Sequence, residues 1–108
     1  MSLKEIFEKF KSLDIHQARS VEDNYVEAVF SNVQSNKWNR ILSEVFGPAL
    51  KPAGEMPSEE TIRLTQNNGG IQENQTLFSK ELDGKRIIAM LWPWQDGVHT
   101  TLKIAVLE

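Results

Sequence analysis

Ile87-Ile88-Ala89-Met90-Leu91-Trp92-Pro93-Trp94 is apolar from end to end. Successive side chains of a strand point to opposite faces, so a strand built from this run is apolar on both and needs cover on both. Asp83-Gly84 precedes it and Gln95-Asp96-Gly97 follows it, each a turn signal between strand-like segments. Residues 71–107 therefore read as three antiparallel strands in a meander.

The first turn fixes a register. With Asp83-Gly84 as a two-residue turn, Glu81 falls opposite Arg86 and Phe78 opposite Ala89, so an ion pair and an apolar pair form together. The second turn leaves two registers open. On the last strand Val98, Thr100, Leu102, Ile104 and Val106 share the core-facing side, and His99, Thr101, Lys103 and Ala105 share the other. A two-residue turn at Asp96-Gly97 places Ile87, Ala89 and Leu91 with the first set and Ile88, Met90, Trp92 and Trp94 with the second. A three-residue turn with a bulge at Gly97 exchanges them. Pro93 weighs against the two-residue turn, because it would occupy a hydrogen-bonded position without a donor.

Upstream, Ser2 and Glu5 form a capping box ahead of Leu3, Ile6, Phe7, Phe10 and Leu13, which predicts a helix over about 3–13 with Glu5 and Lys9 paired at i, i+4. Residues 14–23 carry Asp14, Ser20, Glu22 and Asp23 and read as a connection. Tyr25–Ser31 fits either a strand or a helix face, and its aromatic and β-branched content favours a strand. Trp38, Ile41, Leu42, Val45 and Phe46 mark a second helix over about 37–46, stopped by Gly47-Pro48. Residues 47–57 form a long Pro/Gly loop with Leu50 and Met56 expected to tuck beneath it. Ser58 caps a short third helix that ends at Asn67-Asn68-Gly69-Gly70. The expected fold is a single α+β domain over 1–108, of order α-β-α-α-β-β-β. Its antiparallel sheet has three C-terminal meander strands and one N-terminal strand at an edge, with helices packed on one face.

Composition narrows the functional classes. The 108 residues are 40% hydrophobic and 25% charged, as in an ordinary globular domain. Twelve basic and 15 acidic residues, mixed along the chain, give a net charge of −3 and no basic block, which argues against nucleic acid or an anionic membrane as partner. Cysteine is absent. That excludes disulfides and a thiol nucleophile and is compatible with a reducing cytoplasm. The N-terminus turns charged at Lys4-Glu5, and no apolar run is long enough to span a bilayer.

Trp92 and Trp94, two apart, project to one face and could form an interface anchor or a stacking platform, although packing against helices of the same chain is the favoured account of both. Asp96 and His99 flank one turn in the arrangement of a carboxylate orienting an imidazole, but no motif supplies a nucleophile, so no catalytic residue is assigned. His16 stands alone, no metal-ligand spacing occurs, and no cofactor is implied. Asn68-Gly69-Gly70 follows a helix instead of preceding one, which marks a C-cap and not an anion cradle.

If every helix lies on one face, the doubly apolar strand still needs cover on the other. Homodimerisation through the sheet, or docking on a protein partner, is thus the leading expectation, and enzymatic activity is the less favoured one. The alternative is a small-molecule-binding domain or enzyme with a pocket near Trp92, Trp94, His99, Thr101 and Lys103, with Met90 and Asp96 beside it.

Overall fold

Asp83 and Gly84 both take positive φ, 52° and 78°, as a mirror-image hairpin turn requires. Glu81 accordingly pairs with Arg86 and Phe78 with Ala89 between β3 (Thr76–Leu82) and β4 (Lys85–Pro93). The computed structural model describes residues 2–11, 13 and 15–107. Ser12 and Asp14, which the sequence reading used in the first helix and the connection after it, lie outside them.

The second hairpin resolves in favour of the register of a two-residue turn, with Trp92 opposite Thr101 and Pro93 opposite Thr100 on β5 (His99–Leu107). The ladder closes where the Trp94 N–H donates to the His99 carbonyl at 2.9 Å, leaving Gln95–Val98 as the loop. Hydrogen-bonded and non-hydrogen-bonded pairs alternate, so Pro93 falls at a position that needs no donor towards β5. On its other side β3 reaches only Thr76, opposite Leu91. The objection that proline raised against this register disappears.

The sheet has five antiparallel strands in the order β1-β2-β5-β4-β3, which corrects the expected four. The added strand is β1 (Ile15–Val21), in the segment read as a connection. Its pairing with β2 (Tyr25–Ser31) slips between Ile15 and Gln17 and again between Ala18 and Ser20. Each bulge inverts the in-and-out alternation, which erases the period-two signal that would have marked a strand. β2 is a strand as expected, but it lies between β1 and β5 and not at an edge. Val26, Ala28, Val29 and Phe30 are buried, filling both faces as an interior strand must.

The helices are divided between the two faces, which corrects the one-sided packing. On one face α1 (Leu3–Glu8) and α2 (Ser35–Phe46) cover Val26, Phe30, Phe78, Ile87, Ala89, Leu91, Leu102 and Ile104. Phe30 sits between Phe10 and Trp38, with ring centres 5.6 and 5.2 Å apart. On the other face α3 (Glu59–Thr65) sets Leu64, with Ile71, against Leu77, Ile88, Met90 and Ala105. The capping boxes form at Ser2 with Glu5 and at Ser58 with Thr61. α1 is shorter than expected, because Lys9 and Phe10 donate to Ile6 and Phe7, three residues back, in the tighter turns that end a helix. Glu5 is engaged by the Ser2 N–H, and the pairing on this helix is Glu8 with Lys11 at 2.7 Å. No helix among the described residues is long and apolar enough to cross a membrane.

The Pro/Gly loop inverts another expectation. Leu50 and Met56 are exposed, and the side chain that goes inside is Lys51, 2% exposed. Its backbone pairs with Leu77 along the outer edge of β3, while its ammonium donates to the carbonyls of Pro52 at 3.1 Å, Glu73 at 2.9 Å and Gln75 at 2.6 Å. One cation thus pins two loops with charge-assisted bonds. Lys51→Met keeps the aliphatic length and strands these carbonyls, so chemical denaturation should show a loss of roughly 2 to 4 kcal/mol.

Candidate functional site

α3 spans only seven residues and covers the β3–β4 side of its face. The remainder, over β1, β2 and the hairpin end of β4 and β5, is paved by side chains. Strand pairing places Tyr25, Glu27, Val29 and Ser31 of β2 beside Ala105, Lys103, Thr101 and His99 of β5, and Thr101 in turn beside Trp92 of β4. The bulges of β1 bring His16 and Arg19 to the same surface, where His16 meets His99 with ring centres 4.3 Å apart.

These groups hold one another. The Trp94 indole N–H donates to Thr101 Oγ1 at 2.8 Å, which places the ring over a buried threonine. The Arg19 guanidinium lies 5.6 Å from the Trp94 ring centre and donates to Glu27 Oε2 at 3.2 Å. Tyr25 OH donates to the other Glu27 oxygen at 2.6 Å. The Lys103 ammonium sits 3.4 Å from the centre of the Trp92 ring, a cation–π contact. Trp92 is backed by Gly69, where a Cβ would lie 2.4 Å from the indole, so only glycine admits the ring. Both tryptophans therefore carry a cation of their own chain and are not bare platforms.

The electrostatics follow from partial burial. Burial alone raises the Glu27 carboxyl, yet hydrogen bonds from Tyr25 and Arg19 and the charges of Lys103 and Arg19 outweigh it and hold the group below its usual range. Burial, then the hydrogen bond and charge of Glu27, push the Tyr25 hydroxyl well up, so it stays a donor. Burial lowers Lys103, with Arg19 acting in the same direction and Glu27 opposing. At the hairpin, Asp96 Oδ2 meets His99 Nδ1 at 2.7 Å, and its Oδ1 accepts the N–H groups of Val98 and His99 at 2.8 and 3.1 Å. The imidazole and then the Val98 amide hold this carboxyl at about 2.

Of the residues singled out in the sequence, Trp92, Trp94, Asp96, His99, Thr101 and Lys103 share this surface. Met90 points to the same face but is fully buried beneath the α3 side. Arg19, Tyr25 and Glu27 were missed, and His16, read as standing alone, lies against His99. The alternation of Tyr25 and Glu27 was available as a signal, whereas the two β1 residues were hidden by the bulges. The Asp96–His99 pair could serve a general base in principle. Among the described residues, however, no hydroxyl is hydrogen-bonded to either histidine. No cluster of three or more His, Asp or Glu among them could hold a metal.

Clefts of about 480, 270, 230 and 300 Å³ open on the molecule, none of them lined by Trp92, Trp94 or His99, and the first reaches this surface at Tyr25 and Ala105. Compared with known protein families, curated proteins and solved structures, the chain matches none.

The hairpin electrostatics carry a sign. Because the Asp96 carboxyl is depressed in the folded protein, it contributes stability above its ordinary 3.8, and this is lost as pH falls towards about 2. A ¹³C NMR titration should find Asp96 at about 2, and His99→Ala should return it towards 3.8, because the imidazole is the larger cause.

Proposed function

We propose that this chain is a protein-interaction module whose contact surface is the half of the second sheet face that carries no helix, with a second copy of the chain as the first partner to test. One observation carries the reading: Trp94, Arg19, Tyr25, Glu27 and His99 lie partly exposed on that surface, already fixed by mutual hydrogen bonds and ring contacts. Tryptophan, tyrosine and arginine dominate interface energetics, and side chains held before contact lose little freedom on binding. Both signs of charge occur side by side, with Arg19 and Lys103 near Glu27, which suits a self-complementary contact between two copies.

The reason for expecting a partner changes with the fold. Ile88 and Met90 are covered by α3, so the apolar run of β4 does not itself require one. The edge of β1 is a poorer docking element than the face, because its two bulges interrupt the regular row of donors and acceptors that strand addition uses.

Sedimentation over about 1 μM to 1 mM should show the mass rising towards a dimer. Trp94→Ala should weaken association by about 2 kcal/mol, in the range of an interface anchor, with a smaller shift in unfolding. A chain that keeps its monomer mass at the highest concentration is not self-associating.

A further inference from the structure

The cleft of about 480 Å³ opens between the C-terminal end of α3, the 3-10 turn Gln66–Asn68 and the ends of β2 and β5. Its volume falls within the range of small-molecule sites, about 300 to 1,000 Å³. Among the described residues, Arg63 is the one charged side chain lining it, and no carboxylate of theirs lines the cleft. Asn24, Gln66, Asn67 and Asn68 add four carboxamides, while Leu64 and Ala105 give it an apolar wall.

These polar groups differ from those of the neighbouring surface. Over β1, β2 and β5 the charged and aromatic groups are engaged with one another. Here, among the described residues, neither the Arg63 guanidinium nor the four carboxamides makes a hydrogen bond or ion pair to the protein. Tyr25 also lines the cleft, its hydroxyl already donating to Glu27. Five side chains without a partner among the described residues thus line one concave space.

We propose that this cleft binds a small organic carboxylate that also carries an amide and a short aliphatic group, such as an acylated amino acid. A single guanidinium matches a single carboxylate through two parallel hydrogen bonds, whereas a doubly charged phosphate would need a second cation that the lining lacks. The carboxamides can donate to and accept from an amide. Leu64 and Ala105 take the aliphatic part. The site borders the proposed protein contact surface at Tyr25, which belongs to both, but it does not rest on that reading.

The test uses N-acetyl-leucine and its methyl ester, titrated into the full chain and followed by NMR. The acid should produce saturable shifts at the Arg63 guanidinium N–H and at the Asn67 and Asn68 side-chain amides. Loss of the charge in the ester, or Arg63→Gln, should weaken binding roughly tenfold. Arg63 is exposed, so the variant should unfold at the same temperature as the parent. No saturable shift up to about 10 mM, equal affinity for acid and ester, or an affinity unaffected by Arg63→Gln would each overturn the proposal, as would shifts centred on Trp94 and His99.

Discussion

The structure is organised by the need to keep β4 dry on both sides. From Ile87 to Leu91 every side chain of this strand is buried, and alternation sends them to opposite faces. One helical layer cannot serve both. The chain meets the constraint by dividing its helices, with α1 and α2 against Ile87, Ala89 and Leu91 and α3 against Ile88 and Met90. The sheet order follows the same logic, since β4 lies between β3 and β5 and an edge position would leave part of its backbone unpaired. Each fully buried aliphatic or aromatic side chain of such a strand contributes about 1.5 to 3 kcal/mol, so loss of either cover would threaten a domain of ordinary stability.

The two covers are unequal, and the character of the second face results from that inequality. Seven residues of α-helix extend only about 10 Å, too short to cross a five-stranded sheet. Beyond the reach of α3, Val29 and Thr101 are nevertheless buried. Side chains do the covering there, with Trp94 laid over Thr101 and Arg19 close to Trp94. A polar group in such a layer must be paired if it is not to destabilise the fold. Glu27 satisfies this by accepting from Tyr25 and Arg19 on its two oxygens, which explains why a partly buried carboxylate stays ionised. In the cleft beside α3 the requirement is relaxed, because water reaches the exposed Arg63, Gln66 and Asn67, and the same polar chemistry is left available.

What was legible in the sequence was local. The register across Asp83-Gly84, the capping of α1 and α3 and the stripe of α2 rest on neighbouring residues and on turn chemistry, and the structure keeps them all. The surface bearing Trp92, Trp94, His99, Thr101 and Lys103 was also within reach, because alternation on two adjacent strands is enough to group them once the hairpin register is fixed. β1 was not. With a bulge on either side of Gln17-Ala18, Ile15-His16-Gln17-Ala18-Arg19-Ser20-Val21 shows no alternation and is mostly exposed, so it resembles a connection. The face chosen by α3 was equally hidden, since Leu64 is a single apolar contact on a short helix. Lys51 defeated the rule that charges stay outside, because two of its three carbonyl partners come from residues more than 20 positions away, and no spacing in the sequence announces them.

The bulges that hid β1 also give it a role. An edge strand with a regular ladder invites pairing by any extended chain, and β3 is protected from this by the Lys51–Leu77 bridge. Among the described residues β1 has no such strand beside it and relies on irregularity, with the register slips re-aiming His16 and Arg19 towards the second face. The same two features that blunt the edge thus supply the layer with a cation for Glu27 and Trp94 and with an imidazole against His99. A regular β1 would expose a longer adhesive edge and, by restoring alternation, would turn His16 or Arg19 away from the groups they now touch. Edge protection and the composition of the second face are therefore one structural decision, made in the few residues between Ile15 and Ser20.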